Sequence, residues 1–547
     1  AVFPKYSIGT SHYYKTDKLN LFANYTINPK KEINKTKKGI NYIDGSDEVF
    51  SIWDTDYNQT DRSQSQNASF ILDYDFDDRN SLNVTSNLLF NLDQEQETLL
   101  NNEMRNGQAQ LDSTFTTENN ANMDNTNLAF DLTYVHKLKK EGAQIRANGH
   151  YTYFNGEMFQ RLSSAYFDAD GTFLRDFGFD TDSDQEIKIF TGQLDYSTPI
   201  GNASFESGAK MSSITSENTM NFFNFNGSSS TVDASQSDRY IYDEDVYAAY
   251  LSFVKNWDKW SMKLGVRGEL TKAEGNSITL GETNTQDFFE PFPSVYVLYS
   301  PSDKHSFSFD YGRNIDRPKY SDLNPFRFFY NENDFEEIAY QALTYEDNGR
   351  NIVYLVFQDN ENQTLVEIKQ NVLESQSYGL DFTVSKSILP PWFLYAYTSL
   401  FHEEETFLAE ESGNVPFTNE VNGVYAYLGN YLTLSKDGTF TGEVAATYVS
   451  QFLYGSYVSD EQFNVTIGLR KTLFDNKITL SLAAEDILEQ YVPTYRSQYL
   501  NQDNFYRRRP ETQFIRFGFT YNFGNFRLED NQRGIDKNER DRLQSQN

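Results

Sequence analysis

The sequence predicts an all-β fold, a transmembrane antiparallel β-barrel of about 22 strands with short periplasmic turns and long extracellular loops. Three observations point there. Strands with one apolar and one polar face recur from end to end, very short turns alternate with long polar connections, and many apolar faces end in Tyr, Phe or Trp. The stretch 259–270 shows the first most plainly. Its even positions read Trp260, Met262, Leu264, Val266, Gly268 and Leu270, while its odd positions read Lys259, Ser261, Lys263, Gly265, Arg267 and Glu269. Successive side chains of a strand point to opposite faces, so lipid can lie on one side and a polar lumen on the other.

Composition agrees with this reading. Only 38% of the 547 residues are apolar and mean hydropathy is -0.66, and no uninterrupted apolar run could cross a bilayer as a helix. Alternating strands average to polar because half of each faces water. The 38 Tyr and 45 Phe suit strands carrying interfacial rings at both membrane edges. Cysteine is absent, which excludes a disulfide framework and thiolate metal sites. A formal charge of -32 argues against nucleic-acid binding. The acidity concentrates between the strands, as expected of solvated surface. The opening Ala1-Val2-Phe3-Pro4-Lys5 has neither the basic start nor the apolar core of a signal peptide. Either such a segment has been removed or the sequence begins inside a longer protein.

Tight turns are expected near Thr16-Asp17, Asp77-Asp78-Arg79, Lys139-Lys140, Pro199-Ile200-Gly201, Asn256-Trp257-Asp258, Pro301-Ser302-Asp303, Asn348-Gly349, Leu389-Pro390-Pro391, Lys436-Asp437-Gly438 and Asp475-Asn476. Gly and Asn tolerate positive φ, Pro fixes φ, and Asp caps its own backbone. Flanking strands alternate cleanly, as in Phe70/Leu72/Tyr74/Phe76 followed by Leu82/Val84, or Ile515/Phe517/Phe519/Tyr521/Phe523 near the end. The connections 28–66, 94–124, 157–184, 218–243 and 487–511 are rich in Asn, Asp, Ser, Gln and Glu and read as long outer loops. Ten turns join twenty strands, and 513–523 adds one more. An odd count does not close a single-chain bacterial barrel. The first visible strand, at 5–14, must also descend, so one ascending strand is expected upstream of residue 1. Soluble sandwiches or propellers also alternate, but they give no reason for short turns at one end and long connections at the other.

Several stretches resemble the barrel of TonB-dependent outer-membrane receptors, especially the outer-membrane β-barrel family of Bacteroidota. Val246–Phe253 followed by Trp260–Glu269 is similar to their central hairpin, and Arg317-Pro318-Lys319-Tyr320-Ser321-Asp322-Leu323-Asn324-Pro325-Phe326 to their most distinctive motif. Asn371 with Ser377-Tyr378-Gly379-Leu380, Pro391-Trp392, Leu469–Lys477 and the ending Tyr521-Asn522-Phe523-Gly524 fit as well. The resemblance covers nearly the whole chain. It implies outer-membrane localisation, a surrounding of outer-membrane lipid, ligand capture by outer loops, and a plug domain rearranged by TonB. That plug would come from upstream sequence. The stretch Glu332–Ile338 departs from the family, which would carry a Gly-Asn-Pro stretch and a fuller hairpin there.

Candidate site residues follow. Arg317, Tyr320 and Asn324 could shape the mouth of the lumen and bind ligand, although anchoring of a Pro-stiffened loop is the favoured reading. Arg507, Arg508 and Arg509 are the densest basic cluster; they could bind an anionic ligand or lipopolysaccharide phosphate, with pairing to acidic loops or lining of the wall favoured. Asp168, Asp170 and Asp176 could hold a structural Ca²⁺, but Arg175 intrudes and the twelve-residue EF-hand pattern is not met, so a solvated acidic loop is favoured. No other cofactor is expected. None of the five His sits in a recognisable Ser or Asp constellation, so catalysis is not expected. The charged tail 526–547 reads as a periplasmic extension beyond the barrel of 1–525. The function implied is uptake of an unidentified solute through a TonB-dependent transporter. The alternative is a non-transporting barrel subunit of a larger complex for protein export, barrel assembly or surface-lipoprotein docking.

Overall fold

The computed structural model describes residues 3–226, 229–279, 281–302, 305–315, 317–323, 328–338, 352–409, 413–524 and 538–543. Within them the chain forms an antiparallel wall in two runs. Twelve strands, from Ile8–Lys15 to His305–Gly312, pair with their sequence neighbours; seven more, from Glu374–Leu389 to Phe514–Tyr521, do the same. Nine of the ten expected turns join these strands. The tenth, at Asn348-Gly349, lies outside the described residues. The chain that follows it is not wall: Ile352–Asp359 and Thr364–Asn371 belong to a separate four-stranded sheet. The expected twenty-one wall strands are therefore nineteen among the described residues.

The wall sorts side chains as the alternation requires. In the paired strands Asp238–Asn256, Trp260–Ser277 and Glu282–Ser302, Tyr247, Leu251, Leu264, Val266 and Phe289 lie exposed on the outer face. Their alternates Glu244, Val246, Ala248, Glu269 and Thr271 are buried on the inner one. Rings collect at the short-turn end, where Trp260 stacks on Tyr299 at 4.3 Å and Tyr299 neighbours Phe307 at 6.5 Å. Such interfacial rings mark one membrane edge. Leu264→Arg should therefore cost about 2–4 kcal/mol in a bilayer-reconstituted unfolding measurement, whereas Lys263→Arg, one residue along and facing inward, should cost little. Equal costs would mean that the two faces are misassigned.

The long polar connections are not loops. The segments expected as connections at 28–66, 94–124 and 157–184 continue as paired strands, so that Leu19–Ile43, Val49–Asp77, Asn80–Asn106 and Gln144–Asp168 run 25, 29, 27 and 25 residues. A tilted strand needs only about 9–11 residues to cross the hydrocarbon. The rest of each strand rises past the membrane on the outer side. There, Thr, Asn, Gln and Ser face water on the outside, so the lipid-driven alternation ends while backbone pairing continues. A bulge between Asn91 and Gln94, with Asp93 at φ 54°, flips the inner face from odd to even positions. Leu92 thus lies exposed while Leu100 is buried inside.

The first and last strands, Ile8–Lys15 and Phe514–Tyr521, run in the same direction, toward the short-turn end. They come close, with Lys5 Nζ 3.2 Å from Glu511 and His12 6.2 Å from the Phe523 ring. At the outer end the hairpin Thr494–Tyr499/Gln502–Arg509 spans this seam, pairing with Lys35–Ile40 of the second strand. Gly39 is required there, because a Cβ would run into the Phe505 ring.

Candidate functional site: the filled lumen

Between the two wall runs the chain turns inward and occupies the barrel. Its first element is the loop Arg317–Leu323. Tyr320, 1% exposed, and Leu323 pack against Phe154, Ile187, Ile189, Ile214, Tyr240 and Tyr242. Arg317 donates from Nη2 to Glu269 at 2.8 Å and to Thr271 at 3.0 Å, and its Nε lies 3.8 Å from Glu244. Arg267 holds the other Glu269 oxygen at 2.5 Å. The pyrrolidine of Pro318 fixes the backbone directly after the arginine. Arg317 and Tyr320 thus sit together inside the barrel, committed to the wall; Asn324 lies outside the described residues.

The second element is the four-stranded sheet of Phe328–Asn331, Asp334–Ile338, Ile352–Asp359 and Thr364–Asn371. Asp334–Ile338 pairs with Leu365–Lys369 in parallel, unlike the wall. The chain stretch 332–338, which departs from the expected pattern, is the part that crosses the lumen. Phe329 meets Phe179 and Phe222 at 5.1 and 5.9 Å. Glu332 accepts from Tyr166 at 2.6 Å and from Arg175 at 2.8 Å. Lys38 donates to Asp334 at 2.7 Å and to Glu367 at 3.2 Å, with side chains of Lys38 and Asp334 both 5% exposed. Burial alone would lower the Lys38 ammonium pKa, but the two carboxylates more than reverse this and raise it. Tyr57 also donates to Asp334 at 2.9 Å, and burial with that carboxylate pushes its phenol well up.

Above the membrane, then, the interior is not an open polar lumen. Ile40, Tyr42, Trp53, Leu100, Phe115 and Tyr166 from the wall close on Val356 and Leu365 from the inserted sheet. Trp53 packs edge-on against Tyr42 and Phe115 at 5.4 and 5.9 Å. These residues alternate like a sheet over a core, which the sequence shows as weak apolar alternation within segments otherwise read as loops.

The remaining candidates fall elsewhere. Arg507 and Arg509 are exposed on the outer hairpin, opposite Lys37 and Lys35; Arg508 is opposite Thr36. The nearest paired strand therefore offers them lysines, and Lys37 itself pairs with Asp56 at 3.1 Å on its other side. Asp168 closes a turn, accepting from the backbone of Asp170 and Thr172 at 3.0 and 2.8 Å. Asp176 is opposite Ala165, three residues down the ladder from Asp168, or about 10 Å. The structure does not bring these three carboxylates together. Arg175, which breaks the acidic pattern, serves Glu332 instead and stacks on Tyr166 at 3.8 Å.

Two constellations escape the sequence. On the outer face, His402, Glu404 and Glu420 bring a ring nitrogen and two carboxylates within 4.8 Å of one another. On the inner face, His150 bonds Asp131 at 2.7 Å through Nδ1 and Thr152 at 2.8 Å through Nε2. A His thus does sit between an acid and a hydroxyl, contrary to expectation. Asp131 and His150 are cross-strand partners 19 residues apart, a pairing set by register alone. Thr152 is 0% exposed, and both ring nitrogens of His150 are taken up by side chains of the wall.

A long-stranded wall with an apolar outer belt and an interior filled by its own chain defines an integral outer-membrane β-barrel. The chain belongs to the outer membrane protein β-barrel family, whose sequence profile matches residues 136–338 and 336–521. Among solved structures it is similar to the copper transporter OprC, with a TM-score of 0.52 at 9% identity over 93% of this chain and 80% of that one. It also matches the ferripyoverdine receptor of the outer membrane of Pseudomonas aeruginosa, with a TM-score of 0.47 at 10% identity over 92% and 71%. A third match is the ferric yersiniabactin uptake receptor FyuA from Yersinia pestis, with a TM-score of 0.44 at 10% identity over 90% and 85%. No curated protein matches. The chain is thus an outer-membrane β-barrel.

Proposed function

We propose that this chain is the barrel of a TonB-dependent importer of an unidentified solute. The observation that carries the reading is the match of the outer-membrane barrel family over most of the wall, supported by the fold likeness to a copper transporter. A plug and an ascending strand from upstream sequence would complete the machine. The shared direction of the Ile8–Lys15 and Phe514–Tyr521 strands supports the latter, because two strands of one direction do not join an antiparallel ladder directly; an added strand would part the contacts that Lys5 and His12 make across the seam. Solute would enter from the outer end, where the inserted sheet must shift to admit it.

The test is uptake in the native host. Cells lacking the gene, and cells in which TonB coupling is cut, should both lose accumulation of at least one supplied solute, read by elemental analysis for copper and iron and by growth on defined organic nutrients. Unchanged uptake in both strains, with stable copurification of other envelope proteins, would instead establish the docking-subunit reading. The apolar core joining Val356 and Leu365 to the wall favours that second reading, since it fixes the inserted sheet against the wall in the outer half of the barrel.

A further inference from the structure

The inner faces of Ala203–Asn226 and Asp238–Asn256 carry two charges that a solute pathway does not explain. Lys210 and Glu244 have side chains 2% and 0% exposed. Both are met by the end of the same chain. Glu539 accepts from Lys210 at 2.9 Å and from Ser212 at 3.0 Å. Arg542 donates to both Glu244 oxygens at 2.8 and 3.3 Å, donates from Nε to the Pro318 carbonyl at 2.9 Å, and lies 4.2 Å from the Tyr320 ring centre. Leu543 packs on the cluster that holds Tyr320 and Leu323. The segment expected outside the barrel as a periplasmic extension therefore has its described residues in the lumen.

We propose that this patch is an intramolecular docking site for the C-terminal segment, and that the docked segment locks the Arg317–Leu323 loop onto the wall. The match is specific in three ways. An acid within a helical turn and a base directly after it stand three residues apart, and the wall presents a base and an acid to receive them. Asn538–Asp541 is one helical turn; so short a helix does not persist alone in water, so the seat orders it. Asp541, between Glu539 and Arg542, stays 53% exposed. Reach is no obstacle. From Gly524, the chain has about 13 residues before Asn538, or roughly 45 Å fully extended, against about 30 Å of hydrocarbon.

Arg542 is the part that couples tail to loop, because one guanidinium touches the wall carboxylate, the loop carbonyl and the loop ring. The chain has no cysteine, so an introduced pair is the only pair of thiols. Purified full-length Lys210→Cys/Glu539→Cys should lose both free thiols on mild oxidation and yield a cross-linked peptide by mass spectrometry. Ser212→Cys/Glu539→Cys should do the same and leaves Lys210 in place should the first pair fold poorly. The register partners Thr191→Cys/Ser212→Cys provide the wall control. In a second measurement, Glu539→Ala/Arg542→Ala should raise amide exchange of residues 317–323 about tenfold or more without changing the wall strands. Free thiols in both tail pairs while the control oxidises would overturn the docking. Unchanged exchange in 317–323 would overturn the lock.

Discussion

Lys38→Met should destabilise the inserted sheet by about 3–5 kcal/mol, because it strands the Asp334 carboxylate in a site that excludes water. The methionine fills the volume of the lysine stem, so packing against the neighbouring strands is largely kept. The loss would therefore be electrostatic. Hydrogen exchange of Ile352–Asp359 and Thr364–Asn371 in detergent-solubilised protein is the appropriate measurement, since the sheet can loosen while the wall strands stay paired. Adding Asp334→Asn should recover much of the loss, as an uncharged amide costs less to bury and still bonds Tyr57. A loss below about 1 kcal/mol would mean that water reaches Asp334, against the burial described. The sign of the pH dependence is also fixed. The Lys38 pKa is raised by its carboxylates. Its stabilisation is thus fully present below the ordinary lysine value, about 10.4, and is lost only as pH rises through the raised one.

Arg317→Met is the second large effect, about 1–3 kcal/mol, because it removes the charged bonds to Glu269, 9% exposed, and Thr271, while Arg267 and Arg542 still pair Glu269 and Glu244. Thermal unfolding of the purified barrel reads the total, and exchange in residues 317–323 locates it. Arg317→Lys should restore only part, since a lysine cannot reach Glu269, Thr271 and the Glu244 side at once. This separates anchoring from ligand capture. A ligand-capturing arginine would leave stability unchanged when replaced and would show its loss only in uptake.

Much of the wall was legible. The turns at Asp77-Asp78-Arg79 or Pro199-Ile200-Gly201 fall where Gly, Pro and Asp allow the backbone to reverse. Trp260–Ser277 alternates because lipid touches one face and the interior the other. Legibility fades where lipid stops. Residues 28–66 form two long strands, yet both their faces are largely polar, and period-two patterning needs a difference between faces. The candidate residues divide in the same way. Arg317 and Tyr320 stand close in sequence and act together in the structure. Asp168 and Asp176 also stand close, but a strand ladder of 3.4 Å per residue carries them apart.

The sequence by itself determined that this protein is a lipid-facing β-wall, because alternation is a local property that each strand declares through its own side chains. What fills the wall was decided only by tertiary structure. Lys38 finds Asp334 across 296 positions, Arg542 finds Glu244 across 298, and Asp131 finds His150 through register. No local pattern records such distant pairings. They exist because closing the wall brings charges from separate strands into a space where each must be matched, and the inserted sheet, the loop at Arg317 and the C-terminal segment are what match them.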